Sequence, residues 1–159
     1  MSELPQRKNL RLKDYDYSQN GYYFVTICVK DMQCILWNNH VGAPIGRPQL
    51  SHIGIKIENA IENIPNIYKN VSINNYIIMP NHIHMIIVLQ GNDEGRAMHA
   101  PTISQIINQF KGFVTKQIGY PIWQKLFHDH IIRNEHEYQK IYEYIETNPL
   151  KWELDKYFT

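Results

Sequence analysis

Two consecutive apolar segments in the middle of the chain constrain its fold most. "VSINNYIIM", 71–79, and "HIHMIIVLQ", 82–90, each have the length and β-branched composition of a strand. Only Pro80 and Asn81, two residues typical of turns, separate them. A connection this short joins neighbouring strands that run antiparallel. The sequence therefore predicts a pair of adjacent antiparallel strands.

A third strand and a first helix are predicted before this pair. "GYYFVTICVKD", 21–31, is rich in aromatic and β-branched residues, and "CILW", 34–37, is a candidate hairpin partner for it. Apolar residues then recur at helical spacing, with Ser51 as the N-cap and Pro65 as the stop. A strand followed by a helix is thus expected before residue 71.

A second amphipathic helix is predicted from its cap, its apolar stripe and its stop. Thr102 is the N-cap, Gly119 is the stop, and the apolar residues, Phe113 among them, are expected to point inward. "WQKLFHDHIIRN", 123–134, is expected to be extended in part.

A last helix is predicted at the C-terminal end. Asn134 caps it, and Pro149 ends it by biasing Asn148 out of the helical region. The order of elements predicts an α+β fold: a ferredoxin-like (split β-α-β) antiparallel sheet with helices on one face and a C-terminal helix. Without repeats or a clear boundary, residues 1–159 are expected to form a single domain, with loops at 39–51 and 91–101.

Composition narrows the class of protein. With 159 residues, 43% hydrophobic and 19% charged, the chain is typical of a globular domain with one core. No apolar run is long enough to span a membrane, and the start lacks the apolar centre of a secretory signal. Cys28 and Cys34 form no CxxC pair, so we expect reduced thiols, a cytoplasmic location and no cysteine zinc site.

The charge is balanced overall but uneven along the chain. The net charge of +1 gives no global basic signature. Residues 1–13 nevertheless hold four basic residues against Glu3, a local charge of 4 − 1 = +3. Such a basic arm can contact phosphate, although a solvated terminus has the same composition. Its basic residues are Arg7, Lys8, Arg11 and Lys13.

Two histidines begin the second strand of the central pair. His82 and His84 are one residue apart, so on a strand they point to the same face. Burying imidazoles beside an apolar strand is costly unless they are bound to something, and neutral imidazole binds divalent metals. Two protein ligands would leave positions open for water or substrate. Hydrogen-bonded polar residues at a strand start are the simpler alternative.

The last helix carries a tyrosine at the margin of its apolar stripe. Ile141 and Ile145, with Tyr138 or Tyr142, form the expected stripe, and Tyr144 lies beside it. Tyr144 and Asn148 are four residues apart and share a face. Spacing alone is equally satisfied by a packing tyrosine and by an asparagine at a helix end.

Four blocks of sequence together resemble a known family. They are "RLKDYDYSQNGYYFVTICVKD", "MPNHIHMII", "WQKLFHDHIIRNEHEY" and "YIETNPLKW". In this order, from Arg11 to Trp152, they resemble the REP-associated tyrosine transposases (RAYTs), a branch of the HUH single-tyrosine transposase superfamily, named for its histidine–apolar–histidine pattern. The resemblance implies a metal-dependent endonuclease and strand transferase that acts on single-stranded, hairpin-forming repeat DNA in DNA transposition.

The resemblance also implies roles for individual residues. His82 and His84 match the histidines that hold a divalent cation, Mg²⁺ or Mn²⁺, and Asn148 matches a third polar ligand. Tyr144 matches the nucleophile that forms a 5′-phosphotyrosine link, with Tyr138 and Tyr142 as rival nucleophiles.

Further residues are candidates for contacts around this chemistry. His130 and Lys140 can help remove the phenolic proton, while His128 is equally a surface residue. Arg133 can contact phosphate or form a structural salt bridge. A groove for the single strand can be lined by three lysines of the second helix region, Lys111, Lys116 and Lys125.

Two other interpretations remain open. A non-catalytic single-stranded nucleic-acid-binding protein on the same fold would stack bases on aromatics of an open sheet face, with Tyr22, Phe24 and Tyr76 as candidates. A replication-initiator type of HUH nuclease is the other. We expect a monomer or a homodimer, no membrane partner, and association with the nucleoid when DNA is bound.

Overall fold

The computed structural model describes residues 21–38, 49–91 and 100–154, together with Tyr157. The predicted basic arm, with Arg7, Lys8, Arg11 and Lys13, lies outside the described residues. Most of each predicted loop, 39–51 and 91–101, also lies outside them.

Four strands form one antiparallel sheet. Their order across the sheet is β2-β3-β1-β4, so β3 and β1 are central. This order, with one helix after β1 and another after β3, is the predicted ferredoxin-like arrangement. The strands are β1 Gly21–Cys28, β2 Val71–Ile78, β3 His82–Leu89 and β4 His128–Ile132.

Two capped helices, α1 His52–Ile67 and α2 Ile103–Ile118, cover one face of the sheet. The Ser51 hydroxyl accepts a hydrogen bond from the Gly54 amide at 3.1 Å, which confirms the predicted N-cap. Thr102 caps α2, and Gly119 ends it with a φ of 98°, a left-handed conformation that glycine adopts at low cost. No helix in the described ranges is both long and apolar enough to cross a bilayer.

The other face of the sheet is covered by α3, Glu135–Thr147, and by a 3-10 helix at Asn148–Leu154. Alternation along β3 divides its side chains between two cores. Ile83, Met85 and Ile87 join the core under α1 and α2, whereas Ile86 and Val88 join the core under α3. Since His82 and His84 keep the same alternation, they lie on the α3 face.

The predicted hairpin partner of β1 is wrong. After β1, Val29 bridges to Trp123, so the continuation of the strand is already paired. The chain then turns through Asp31 and Met32, whose φ angles of 56° and 53° are left-handed. "CILW" joins no strand of the sheet; the backbone of Trp37 makes an isolated bridge to Leu50, and its indole donates to the carbonyl of Ile78 at 2.7 Å.

Three predictions about helices are also wrong. Pro65 lies inside the last turn of α1 and does not stop it. Asn148 is helical, with φ −59° and ψ −43°, and Pro149 continues into the 3-10 helix because its fixed φ suits a first helical turn. Phe113 is 43% exposed rather than inward, since the buried stripe of α2 is completed by other residues.

Candidate functional site

The two histidines of β3 face each other through their Nε2 atoms. These two atoms are 3.1 Å apart, and both side chains are buried. The structure thus places His82 and His84 side by side on one face, as the sequence predicts.

A neighbouring side chain contacts the other ring nitrogen of each histidine. The Asn81 Oδ1 atom lies 2.7 Å from His82 Nδ1, and the Asn81 Nδ2 atom donates to the carbonyl of Tyr157 at 2.7 Å. Because a carbonyl oxygen only accepts, His82 Nδ1 carries a proton, and in the neutral imidazole His82 Nε2 then keeps its lone pair. Thr26 Oγ1 lies 2.8 Å from His84 Nδ1 and can hold that ring in the same tautomer.

The paired Nε2 atoms fit a divalent cation. Two lone pairs at 3.1 Å repel each other unless a proton or a cation lies between them. Two adjacent ligands of an octahedral ion, with metal–nitrogen bonds of about 2.1 Å, are about 3.0 Å apart. The observed separation matches this geometry.

Among the described residues, a third protein donor would have to be something other than a clustered acid, cysteine or histidine. No group of three such residues able to hold a metal occurs within the described ranges. Asn148 is buried, and its Nδ2 atom has no hydrogen-bond partner in the described structure. A buried amide with unused hydrogen-bonding capacity has the chemistry of the predicted third ligand, because its oxygen suits hard divalent ions.

Helix α3 places one phenol beside the histidines. The ring of Tyr144 is 5.2 Å from that of His84, between centroids, and the side chain is 37% exposed. Phe24 stacks on His84 at 5.2 Å and meets the Tyr144 ring edge-on at 6.3 Å. An exposed phenol next to a buried histidine pair can reach a phosphate from solvent.

The rival tyrosines of α3 lie elsewhere. Tyr138 donates from its hydroxyl to Asn74 Oδ1 at 2.5 Å, and burial raises the pKa of its phenol. Tyr142 is 36% exposed and packs against the Tyr138 ring. Of the three, Tyr144 is the one with a ring contact to the histidines in the described structure.

The candidate residues for proton transfer and phosphate contact come from β4, from α3 and from the connection between them. Cross-strand pairing sets His128 opposite Thr26 and His130 opposite Phe24, on the histidine face. His130 contacts the carboxylate of Glu137 in the first turn of α3. Arg133, between β4 and α3, and Lys140, one turn before Tyr144, are exposed.

Two lysines of the predicted groove lie away from the histidine pair. Lys111 and Lys116 belong to α2, which packs on the opposite face of the sheet from the histidines. Lys111 donates to the carbonyls of Gln124 and Lys125, at 2.8 and 3.3 Å, and burial lowers the pKa of its amine. Lys111 and Lys116 therefore do not line a groove at the histidine pair.

The three aromatics proposed as a stacking platform do not share a face. Phe24 packs in the core under α3, beside Tyr22, which is next to Tyr138 of that helix. Tyr76 points to the other side, where its hydroxyl bonds the carboxylates of Glu58 and Glu62 in α1. The open sheet face that the binder interpretation needs is covered in this part of the structure.

Several site residues escape the sequence argument. Tyr157 lies 4.4 Å from His82 between ring centroids, and Trp152 lies 6.1 Å from it. Asn81 and Thr26 hold the histidine rings. The sequence does contain a signal for both residues. Thr26 is a polar residue within the apolar run "FVTIC", and Asn81 directly precedes the histidine motif.

Comparisons with known proteins were made by sequence and by structure. No protein-family profile matches the chain. An uncharacterized protein of Haemophilus influenzae is 36% identical over 174 residues, covering 98% of this chain and 94% of that protein. A second H. influenzae protein, named "Putative REP-associated tyrosine transposase", is 24% identical over 144 residues, covering 86% of this chain and 74% of that protein.

Two solved structures share the fold. A REP-associated tyrosine transposase bound to a REP hairpin superposes with a TM-score of 0.64 and 23% identity, covering 92% of this chain and 76% of that chain. A "putative transposase" from Deinococcus radiodurans gives a TM-score of 0.50 and 14% identity, covering 86% and 95%. The fold is thus that of a REP-associated tyrosine transposase, and the sequence is similar to a protein named as one, in agreement with the resemblance of the four sequence blocks.

Proposed function

We propose that the protein is a metal-dependent single-stranded DNA endonuclease and strand transferase that acts through Tyr144. The observation that carries this proposal is the phenol of Tyr144 beside His84, whose Nε2 atom faces that of His82 at 3.1 Å. The substrate we propose is DNA with hairpin-forming repeats, because the structural relative in this family is described as bound to a REP hairpin.

The residues that would hold the cation are His82, His84 and Asn148. When bound, a divalent cation supplies Lewis-acid activation and orientation of the scissile phosphate. Imidazole donors favour Mn²⁺ over Mg²⁺, which prefers oxygen ligands and keeps its waters. Asn81 and Thr26 have a supporting role: they keep both Nε2 lone pairs directed to one point.

Tyr144 supplies the nucleophile. Its hydroxyl oxygen attacks phosphorus and forms a 5′-phosphotyrosine bond, while the bond to the 3′ oxygen breaks and that oxygen takes up a proton to become a free 3′-hydroxyl. Because the new link conserves the energy of the broken one, a second 3′-hydroxyl can attack it, join the strands and regenerate the phenol.

The phenolic proton has to leave during the attack, since a free phenol has a pKa near 10. Lys140 shares a face of α3 with Tyr144, one turn earlier, and is a candidate to stabilise the phenolate. His130 contacts Glu137 and would have to leave that carboxylate to act as the base. We assign Arg133, which is exposed between β4 and α3, to contact with the DNA strand.

The cellular setting follows from this activity. We propose a monomer or a homodimer in which the histidine pair and Tyr144 of each site come from one chain, as they do in this structure. We propose a cytoplasmic location, with association to the nucleoid when DNA is bound.

A covalent adduct tests the proposal. The protein is incubated with Mn²⁺ and single-stranded oligonucleotides that carry palindromic repeats from the flanks of its own gene. We expect a protein–DNA adduct that survives denaturing electrophoresis, with the DNA mapped to Tyr144 by mass spectrometry. Tyr144→Phe should abolish the adduct.

The matched control is Tyr142→Phe, because Tyr142 is on the same helix and is exposed to nearly the same extent, 36% against 37%. This variant should form the adduct at the normal rate. An adduct on Tyr138 or Tyr142 would move the nucleophile. Tight binding without any adduct would leave the non-catalytic single-stranded nucleic-acid binder as the function.

A further inference from the structure

A cavity opens at the N-terminal end of α3, on the same sheet face as the histidines. It has a volume of about 360 Å³ and lies where β1, the end of β4 and the start of α3 meet. Its lining combines aromatic, charged and polar side chains. The lining residues are Tyr22, Ile132, Arg133, Asn134, Glu135 and Tyr138.

One wall of this cavity is an exposed aromatic surface held in place from behind. Tyr22 is 41% exposed, although it belongs to a central strand. Its ring meets the ring of Tyr138 edge-on, at 5.6 Å and 89°, and Tyr138 is itself fixed by its 2.5 Å bond to Asn74. An exposed aromatic ring with a fixed orientation is the arrangement on which a planar ligand stacks.

Hydrogen-bonding groups of opposite character complete the lining. Arg133 only donates, whereas the carboxylate of Glu135 only accepts. Glu135 uses one oxygen to accept from Gln139 Nε2 at 2.8 Å and has further lone pairs available. A planar ligand that carries both donors and acceptors on its edge, as nucleobases do, matches this combination.

The cavity and the proposed active site lie along the same face of β1. Tyr22, Phe24 and Thr26 alternate onto one face, and Phe24 contacts both His84 and Tyr144. Four residues of extended strand span about 13 Å. Since Thr26 touches His84, a single strand whose phosphate lies at Tyr144 passes the cavity within a few nucleotides.

We propose that this cavity binds one unpaired nucleobase of the substrate strand, stacked on Tyr22, a few nucleotides from the scissile phosphate. The inference rests on the proposed function for the identity of the ligand. The stacked base fixes the register in which the strand reaches Tyr144, because stacking on an aromatic ring positions a base without requiring a particular sequence.

An abasic scan tests this site by equilibrium binding. The probe is a single-stranded oligonucleotide with a palindromic repeat from the flanks of the gene, in which one unpaired position at a time lacks its base. Binding is measured with Mn²⁺ in the Tyr144→Phe protein, so that no cleavage occurs. We expect one position at which removal of the base weakens binding about tenfold.

Tyr22→Ala in the same background should remove the effect at that position, to less than about twofold, and leave the other positions unchanged. Tyr120→Ala is the control, because Tyr120 is 53% exposed and lies outside the cavity. The control should keep the sensitive position. A scan with no sensitive position, or one that Tyr22→Ala leaves intact, overturns the proposal.

Thermal unfolding would reveal whether the Tyr22→Ala protein is misfolded, and a second variant keeps the test decisive in that case. Arg133→Gln should also reduce the penalty at the same position, and an unchanged penalty in that protein counts against the site. The scan does not depend on chemistry. If the unmutated protein forms no adduct, the proposed activity fails while the binding scan still decides whether the cavity holds a base.

Discussion

The two faces of the sheet differ in what they bury. On the face toward α1 and α2, the strands present an apolar core. On the side of α3 and the 3-10 helix lie the buried polar side chains of the described residues. They are Thr26, Asn81, His82, His84 and Asn148. Both faces are built from the same strands, so the polar residues are a property of one side and one end of the sheet.

This difference has an energetic meaning. A buried polar group without a partner costs about 1–3 kcal/mol, and an apolar side chain of similar shape would avoid that cost. Thr26 and Asn81 lie within hydrogen-bond distance of the Nδ1 atoms of the two histidines, whereas the two Nε2 atoms face each other and the Asn148 amide nitrogen has no partner within the described structure. The α3 face thus carries polar groups that stability alone does not require, which points to chemistry there.

Changing one residue on each face, at neighbouring positions of β3, tests whether the two faces have separate roles. His84→Ala removes a proposed metal ligand from the α3 face. We expect Mn²⁺-dependent adduct formation to fall at least about a thousandfold, because several kcal/mol of transition-state stabilisation depend on the cation. The midpoint of thermal unfolding without metal should stay close to that of the original protein, and adduct yields at saturating DNA measure the loss.

A His84→Ala protein that aggregates or unfolds would show that the histidine is structural. His84→Phe, which keeps a planar ring but has no donor atom for a cation, separates the two outcomes. If the Phe protein folds and still forms the adduct at the original rate, the histidine is not a ligand.

The matching change on the other face is Met85→Ala, one residue along the same strand. Met85 is fully buried in the core under α1 and α2, so its truncation should cost about 2–5 kcal/mol of unfolding free energy. Adduct formation per folded molecule should be unchanged. Urea unfolding gives the first quantity, and adduct rates corrected for the folded fraction give the second.

The two faces would not have separate roles if Met85→Ala lowered the adduct rate of folded molecules as strongly as His84→Ala does. The two faces would then be coupled through β3 rather than separate in function.

Local sequence patterns predict one part of this arrangement well. Alternation along "HIHMIIVL" separates the two faces, and Ser51, Thr102 and Asn134 are found as caps because a cap depends only on residues three positions away. The order of elements is enough to give the ferredoxin-like sheet, since short connections limit the possible topologies.

The remainder depends on contacts between distant residues. Phe24 and His84 stack across sixty positions, and Tyr157 reaches His82 from the C-terminal segment. No periodicity encodes such contacts. The turn at Asp31 and Met32 could not be predicted for another reason. Methionine rarely adopts a left-handed conformation, and the preference of aspartate for it is too weak to predict a turn.

A smaller effect should come from the residues that hold the histidine rings. Thr26→Val keeps the shape of the side chain but removes the oxygen 2.8 Å from His84 Nδ1. Since outer partners of metal ligands typically contribute 10- to 100-fold in affinity, the Mn²⁺ concentration for half-maximal adduct formation should rise by about that factor. A metal titration of adduct rate at fixed DNA measures it.

The control is Thr115→Val, a partly buried threonine on α2, on the opposite face. It should leave the Mn²⁺ titration unchanged. An unchanged titration for Thr26→Val as well would mean that the tautomer of His84 is set by something other than Thr26.

The smallest expected effect concerns the tyrosine of α3 that we exclude as the nucleophile. Tyr138→Phe removes the hydrogen bond to Asn74 and should cost about 1 kcal/mol of unfolding free energy at pH 8, with the adduct rate unchanged. Burial raises the pKa of the Tyr138 phenol above its usual value near 10. This contribution is therefore fully present below pH 10 and is lost as the pH rises through the raised pKa in the folded protein.

The difference in urea-unfolding free energy between the original protein and Tyr138→Phe should accordingly shrink above pH 10. Tyr68, whose pKa burial also raises, is present in both proteins and cancels in the comparison. A difference that stays constant from pH 8 to pH 10.5 would show that the Tyr138 phenol is not desolvated in the folded protein. Loss of the adduct in Tyr138→Phe would be the more serious result, because the α3 face would then use a different phenol from the one beside His84.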